Sequence, residues 1–153
     1  MSGDSIRHLG PRSWSYCDNH VMSASPHVVA RLVAVGCAAV VAALLLSAST
    51  IPNLVFSDNV IADTAIRKVG HFFAFFVIGM LVSAGASGWM PRRRATFVAI
   101  AVASLVAIGD EVRQADIPSR IASPLDIAID LAGALAGVVA LDRYRGSRPG
   151  RTL

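Results

Sequence analysis

The chain is short of charge and shorter still of lysine. Only 16% of its 153 residues are charged, against 54% hydrophobic, and its mean hydropathy is +0.58. That balance suits an integral membrane protein better than a soluble domain. Lys68 is the one lysine beside 13 arginines. Cysteine is scarce too. Cys17 stands in the N-terminal stretch and Cys37 inside an apolar run, so neither a disulfide nor a cysteine metal motif is expected. The sequence holds no H-x-x-x-H pair, which removes the commonest sequence-local metal motif. No serine or cysteine nucleophile stands beside a base, and no repeat exceeds the helical period. The net charge of +4 and pI near 9.8 would fit a nucleic-acid binder. Here the basic residues fall where membrane topology signals belong, so no nucleic-acid partner is expected.

What is present is a series of apolar spans. A hydrocarbon core of about 30 Å needs roughly 20 apolar residues per helix, so four helices use about 80 residues. Residues 1–27 mix Gly, Ser, Pro, His and charges without periodicity and read as a disordered cytoplasmic tail. Leu32 to Ile51 is the first span and carries no charge. Its Ser47-Ala48-Ser49 resembles a signal cleavage site, but the run is too long and starts too late, so a retained helix is expected. Pro52 ends it, and Asn53 to Ile66 reads as a semi-polar connection. The second span covers Lys68 to Met90. Pro91 with Arg92, Arg93 and Arg94 makes a loop, and the third span is Ala95 to Gln114. After the loop Ala115 to Ala122, Ser123-Pro124 reads as an N-cap followed by proline at the first helical position. The fourth span runs on to Leu141, and 142–153 is a basic cytoplasmic tail. The fold class is therefore all-α: one bundle of four transmembrane helices within 28–141.

Arginine and lysine set the orientation. Ten of these residues collect on the side of the termini and the second loop, and four on the other side. That bias puts both termini in the cytoplasm of a bacterial inner-membrane protein, with Trp89 and Tyr144 as interfacial anchors. The outer ends of helices two, three and four then gather Lys68, His71, Asp110, Glu111, Gln114, Arg120, Asp126 and Asp130, while the inner ends offer no comparable polar group. Lys68 and His71 are i, i+3, and Asp110 and Gln114 are i, i+4. Asp126, Asp130, Gly133 and Gly137 form one stripe on the fourth helix. Acids inside a membrane are expensive, which makes them functional-site candidates. Asp126 is also placed to complete a capping box with Ser123. Phe72, Phe73, Phe75 and Phe76 read as core or lipid-facing bulk. Gly133 and Gly137 make a small-xxx-small pattern that permits close helix approach, within the chain or in a homo-oligomer.

Lys68-x-x-His71-Phe72, Asp110-Glu111-x-x-Gln114, Pro118-x-Arg120, and Asp126 with Gly133 and Gly137 together resemble the VanZ-like family over about 67–141. The resemblance implies a small bacterial membrane protein of the kind linked to teicoplanin resistance. It also makes Lys68, His71, Asp110, Glu111, Gln114, Arg120 and Asp126 signature positions. Ser119, Asp130 and Arg67 depart from the family's usual Gly, Asn and acidic residue.

Three functions stay open at this stage. In the first, Lys68 and Arg120 hold an anionic or lipid-linked envelope ligand, with the carboxylates placing the cations. In the second, the chain is an enzyme in which His71, Asp110, Glu111 and Asp130 are the candidate catalytic groups. In the third, the charges only pair with one another in a scaffold. His71 with several carboxylates also offers donors to a divalent cation, but no metal or cofactor is assigned.

Overall fold

The structure, a computed structural model, describes residues 25–49, 51, 56–115 and 123–147. Four helices follow in order: α1 Pro26–Ser49, α2 Val60–Ala86, α3 Arg92–Ala115 and α4 Pro124–Gly146. No strand occurs among the described residues. All four helices are long and apolar enough to cross a membrane. The shortest, α4, has 23 residues. At about 1.5 Å per residue such a helix exceeds a hydrocarbon core of about 30 Å. The all-α, four-span fold is thus the one expected. Residues 1–24 of the N-terminal tail, Pro118, Ser119, Arg120 and residues 148–153 lie outside the described residues, while Pro26 and His27, expected in the disordered tail, open α1.

The helix ends differ from expectation in ways the local chemistry explains. α2 begins at Val60, so Val60–Ile66 is its first two turns and not a connection. Asn59 is the N-cap: its side-chain oxygen accepts from the N–H groups of Ile61 at 2.9 Å and Ala62 at 3.2 Å. Arg67 and Asp63, which look like loop charges in the sequence, pair one turn apart at 2.7 Å on the same helix. Arg92, Arg93 and Arg94 are the first turn of α3, not a loop. The N–H groups of Arg94 and Ala95 donate to the Pro91 carbonyl, at 2.9 and 3.1 Å. α4 continues past Leu141 to Gly146, and α1 starts at Pro26, before Leu32.

α2 is the central helix, with its most extensive contact against α4; α1 barely meets α3. The core is built from Phe75 of α2, Ala103 and Ala107 of α3, and Ala134 of α4. On α3 every fourth residue from Ala95 to Ala107 is a fully buried alanine. Lipid tails are as apolar as leucine, so helix association relies on close backbone packing, which small side chains allow. The phenylalanines divide as expected. Phe75 is buried, and Phe73 is largely exposed.

One end of the bundle carries Asp110, Glu111, Asp126 and Asp130. At the other end Trp89 and Tyr144 are exposed. That end is not free of polar contacts, contrary to expectation. Arg92 Nε meets Asp142 Oδ1 at 2.7 Å, and Arg145 Nη1 donates to Ser87 Oγ at 2.9 Å. Both pairs tie helix ends at the surface, where such bonds contribute little.

Candidate functional site

The site starts from a glycine seam. A Cβ on Gly133 would overlap the Phe72 carbonyl oxygen, and one on Gly137 would overlap that of Phe76. In the other direction, a Cβ on Gly79 would overlap the Ala134 carbonyl. The two backbones therefore touch along this line. The expectation of a homo-oligomer through Gly133 and Gly137 is corrected here, because α2 of the same chain already fills that face. The same seam fixes the polar residues above it. His71 precedes Phe72, and Asp130 lies one turn before Gly133, so close contact below brings His71 and Asp130 together.

Two acids are almost wholly buried at this end. Asp110 is 1% exposed and Asp130 is 3% exposed. Asp110 is well supplied with donors: Oδ1 accepts from the Ser49 hydroxyl, and Oδ2 accepts from Gln114 Nε2 at 2.6 Å. Asp130 is not. His71 Nδ1 stands 3.4 Å from Asp130 Oδ1 and 3.9 Å from Asp110 Oδ2. The contact to Asp130 is at ion-pair distance and is not a hydrogen bond, so Asp130 Oδ1 has no hydrogen-bond partner among the described residues. A buried carboxyl oxygen without a hydrogen bond is costly, which marks Asp130 as a candidate functional residue.

Asp130 also lines a cavity of about 100 Å³. Arg67, Lys68, His71, Gln114, Asp126 and Asp130 are among its walls. Lys68 Nζ meets Asp126 Oδ1 at 2.5 Å at the rim, where both side chains are about one-third exposed (35%). Asp126 therefore does not complete a capping box. Ser123 is the N-cap of α4 but makes no side-chain cap bond. Its own N–H instead donates to Glu111 Oε1 across from α3. Glu111 thus does from a neighbouring helix what the acid of a capping box does locally. It ties the end of α3 to the start of α4 and is not among the cavity walls.

The structure brings together Lys68, His71, Asp110, Gln114, Asp126 and Asp130, and places Glu111 beside them as a brace. Arg120 lies outside the described residues. Two participants were not read from the sequence. Ser49 looked like part of a cleavage site and proves to be the buried partner of Asp110. Arg67 looked like a departure from a pattern and proves to line the cavity, held by Asp63. Its position one residue before Lys68 was the available signal. Among the described residues, no group of three or more His, Cys, Asp or Glu side chains is arranged to hold a metal ion. Chemically the cavity offers two cations at its rim and an imidazole between two buried acids.

A family model described as VanZ/LLP1 matches residues 21–144, which is most of the chain and includes every element of this site. No curated protein and no solved structure matches the chain.

Proposed function

The chain belongs to the VanZ/LLP1 family, and from that premise we propose that it binds an anionic cell-envelope component at the polar end of its bundle. Its four apolar helices make it a multi-pass membrane protein of the VanZ type. In our reading the membrane is a bacterial inner membrane, both termini are cytoplasmic, and the cavity faces outward. The distribution of Arg and Lys supports that orientation.

The observation that carries the reading is the meeting of two cations, Arg67 and Lys68, with the buried acid Asp130 in the walls of one cavity. Arg67 donates to Asp63 through Nε alone, and its two terminal nitrogens are without a partner among the described residues. Lys68 has three protons and gives one to Asp126. A phosphate or carboxylate therefore finds donors at the rim, from cations already held in place by Asp63 and Asp126. A hydroxyl or amide N–H of the same ligand then meets the cavity wall at Gln114 and Asp130.

A second reading has its own observation. His71 Nδ1 lies within 4 Å of both buried acids, an arrangement suited to passing a proton to or from a bound ligand. Binding and modification then share one site.

The test uses a deletion strain with an envelope phenotype, teicoplanin susceptibility included. His71→Ala, Asp110→Asn and Asp130→Asn are expected to fold and to fail in complementation. Normal folding with full complementation by all three would overturn the site. Reporter fusions at the two termini check the orientation, and an external terminus would reverse it.

A further inference from the structure

Beside the polar cavity lies a second one, between α1 and α2, of about 330 Å³. That size falls within the range of small-molecule sites, about 300–1,000 Å³. Leu45 and Ala48 form its α1 wall, Ile66 and Gly70 its α2 wall, and Phe56 one end. Arg67 and His71 line both cavities, so a polar and a mainly apolar cavity adjoin at these two side chains. The junction is held firmly. Asp63 accepts the Phe56 N–H at 2.7 Å with one oxygen and Arg67 Nε at 2.7 Å with the other. The Arg67 guanidinium also lies 5.7 Å from the centre of the Phe56 ring. Nothing crowds Gly70, since a Cβ there would meet no atom within 4 Å.

Resting on the anionic-ligand reading above, we propose that the ligand is an anionic lipid whose hydrocarbon chain lies in this trough while its charged group meets Arg67 and Lys68. A water-soluble anion matches only the polar cavity. A lipid matches both cavities in one molecule. Ala48 and Ile66 on the two walls are exposed on helix faces that meet acyl chains in a bilayer, so the chain enters sideways without crossing water. The adjoining cavities then select for charge at Arg67 and for a chain at Gly70.

The test compares dioleoyl and dibutyryl phosphatidic acid on the full-length chain in neutral detergent, by native mass spectrometry. Gly70→Leu fills the trough from α2 and Ala48→Leu fills it from α1, so a folding defect in one leaves the other. Displacing about two methylenes of burial lowers the preference for the long-chain lipid about tenfold. A diazirine on the acyl chain should label Leu45–Ala48 and Ile66–Gly70 in the wild type and lose those adducts in both variants. Unchanged chain-length preference in both variants overturns the trough while leaving the headgroup site standing. If Arg67→Gln with Lys68→Ala leaves dibutyryl phosphatidic acid bound as before, the headgroup reading itself fails, and the trough falls with it.

Discussion

Replacing Gly133 by alanine tests whether the glycine seam sets the geometry of the site. The new Cβ would overlap the Phe72 carbonyl oxygen and sit 3.1 Å from the Phe72 carbonyl carbon. Both obstacles are backbone, so no rotamer change relieves them and α2 must move away from α4. Overpacking of this kind costs about 1–3 kcal/mol. Alanine returns up to about 1 kcal/mol through its higher helix propensity. With the full propensity gain the expected net loss is about 0–2 kcal/mol. Gly36→Ala is the reference, because nothing lies within 4 Å of a Cβ there. It keeps the propensity gain alone, up to about 1 kcal/mol. Helix displacement at Gly133 also widens the gap between His71 and Asp130, now 3.4 Å. The assay is SDS titration of the purified protein in mixed micelles, followed by circular dichroism, with the binding of dibutyryl phosphatidic acid measured alongside. A Gly133→Ala protein as stable as Gly36→Ala, with unchanged binding, would refute the seam as the element that positions the site.

Three further outcomes follow from the hydrogen bonds. Ser49→Ala takes a donor from the buried Asp110 carboxylate and should destabilise by about 1–3 kcal/mol; Ser49→Thr keeps the hydroxyl and should recover most of this, and a silent alanine variant would remove Ser49 from the site. Glu111→Ala leaves the Ser123 N–H without its charged acceptor, a loss of about 1.5–3 kcal/mol. Hydrogen exchange should then speed up at the amides of Asp126–Asp130, and unchanged protection there would refute the brace. Lys68 and Asp126 are 35% exposed at the rim, so a double-mutant cycle should give a coupling of only about 0.2–1 kcal/mol. A coupling well above that range would mean that the pair is part of the buried network.

Most of the architecture was legible in the sequence because bilayer thickness turns a local property, apolar length, into a count of helices. Four spans, their order and the gathering of acids at one end follow from hydropathy and alternation alone. The stripe Asp126, Asp130, Gly133, Gly137 was equally legible, since helical period places those residues on one face whatever they touch. Helix ends were harder. α2 begins at Val60, eight residues before Lys68, where the sequence pattern starts the span, because a cap and an i, i+4 pair let Asp63 and Arg67 ride on a helix. Partners across helices were not legible at all. That Ser49 meets Asp110, that Glu111 braces Ser123, and that Gly133 faces Phe72 and not a second copy depend on distances between segments far apart in the chain. Periodicity says which residues share a face; only the packing of α2 against α4 decided which carboxylate oxygen, that of Asp130, was left without a donor.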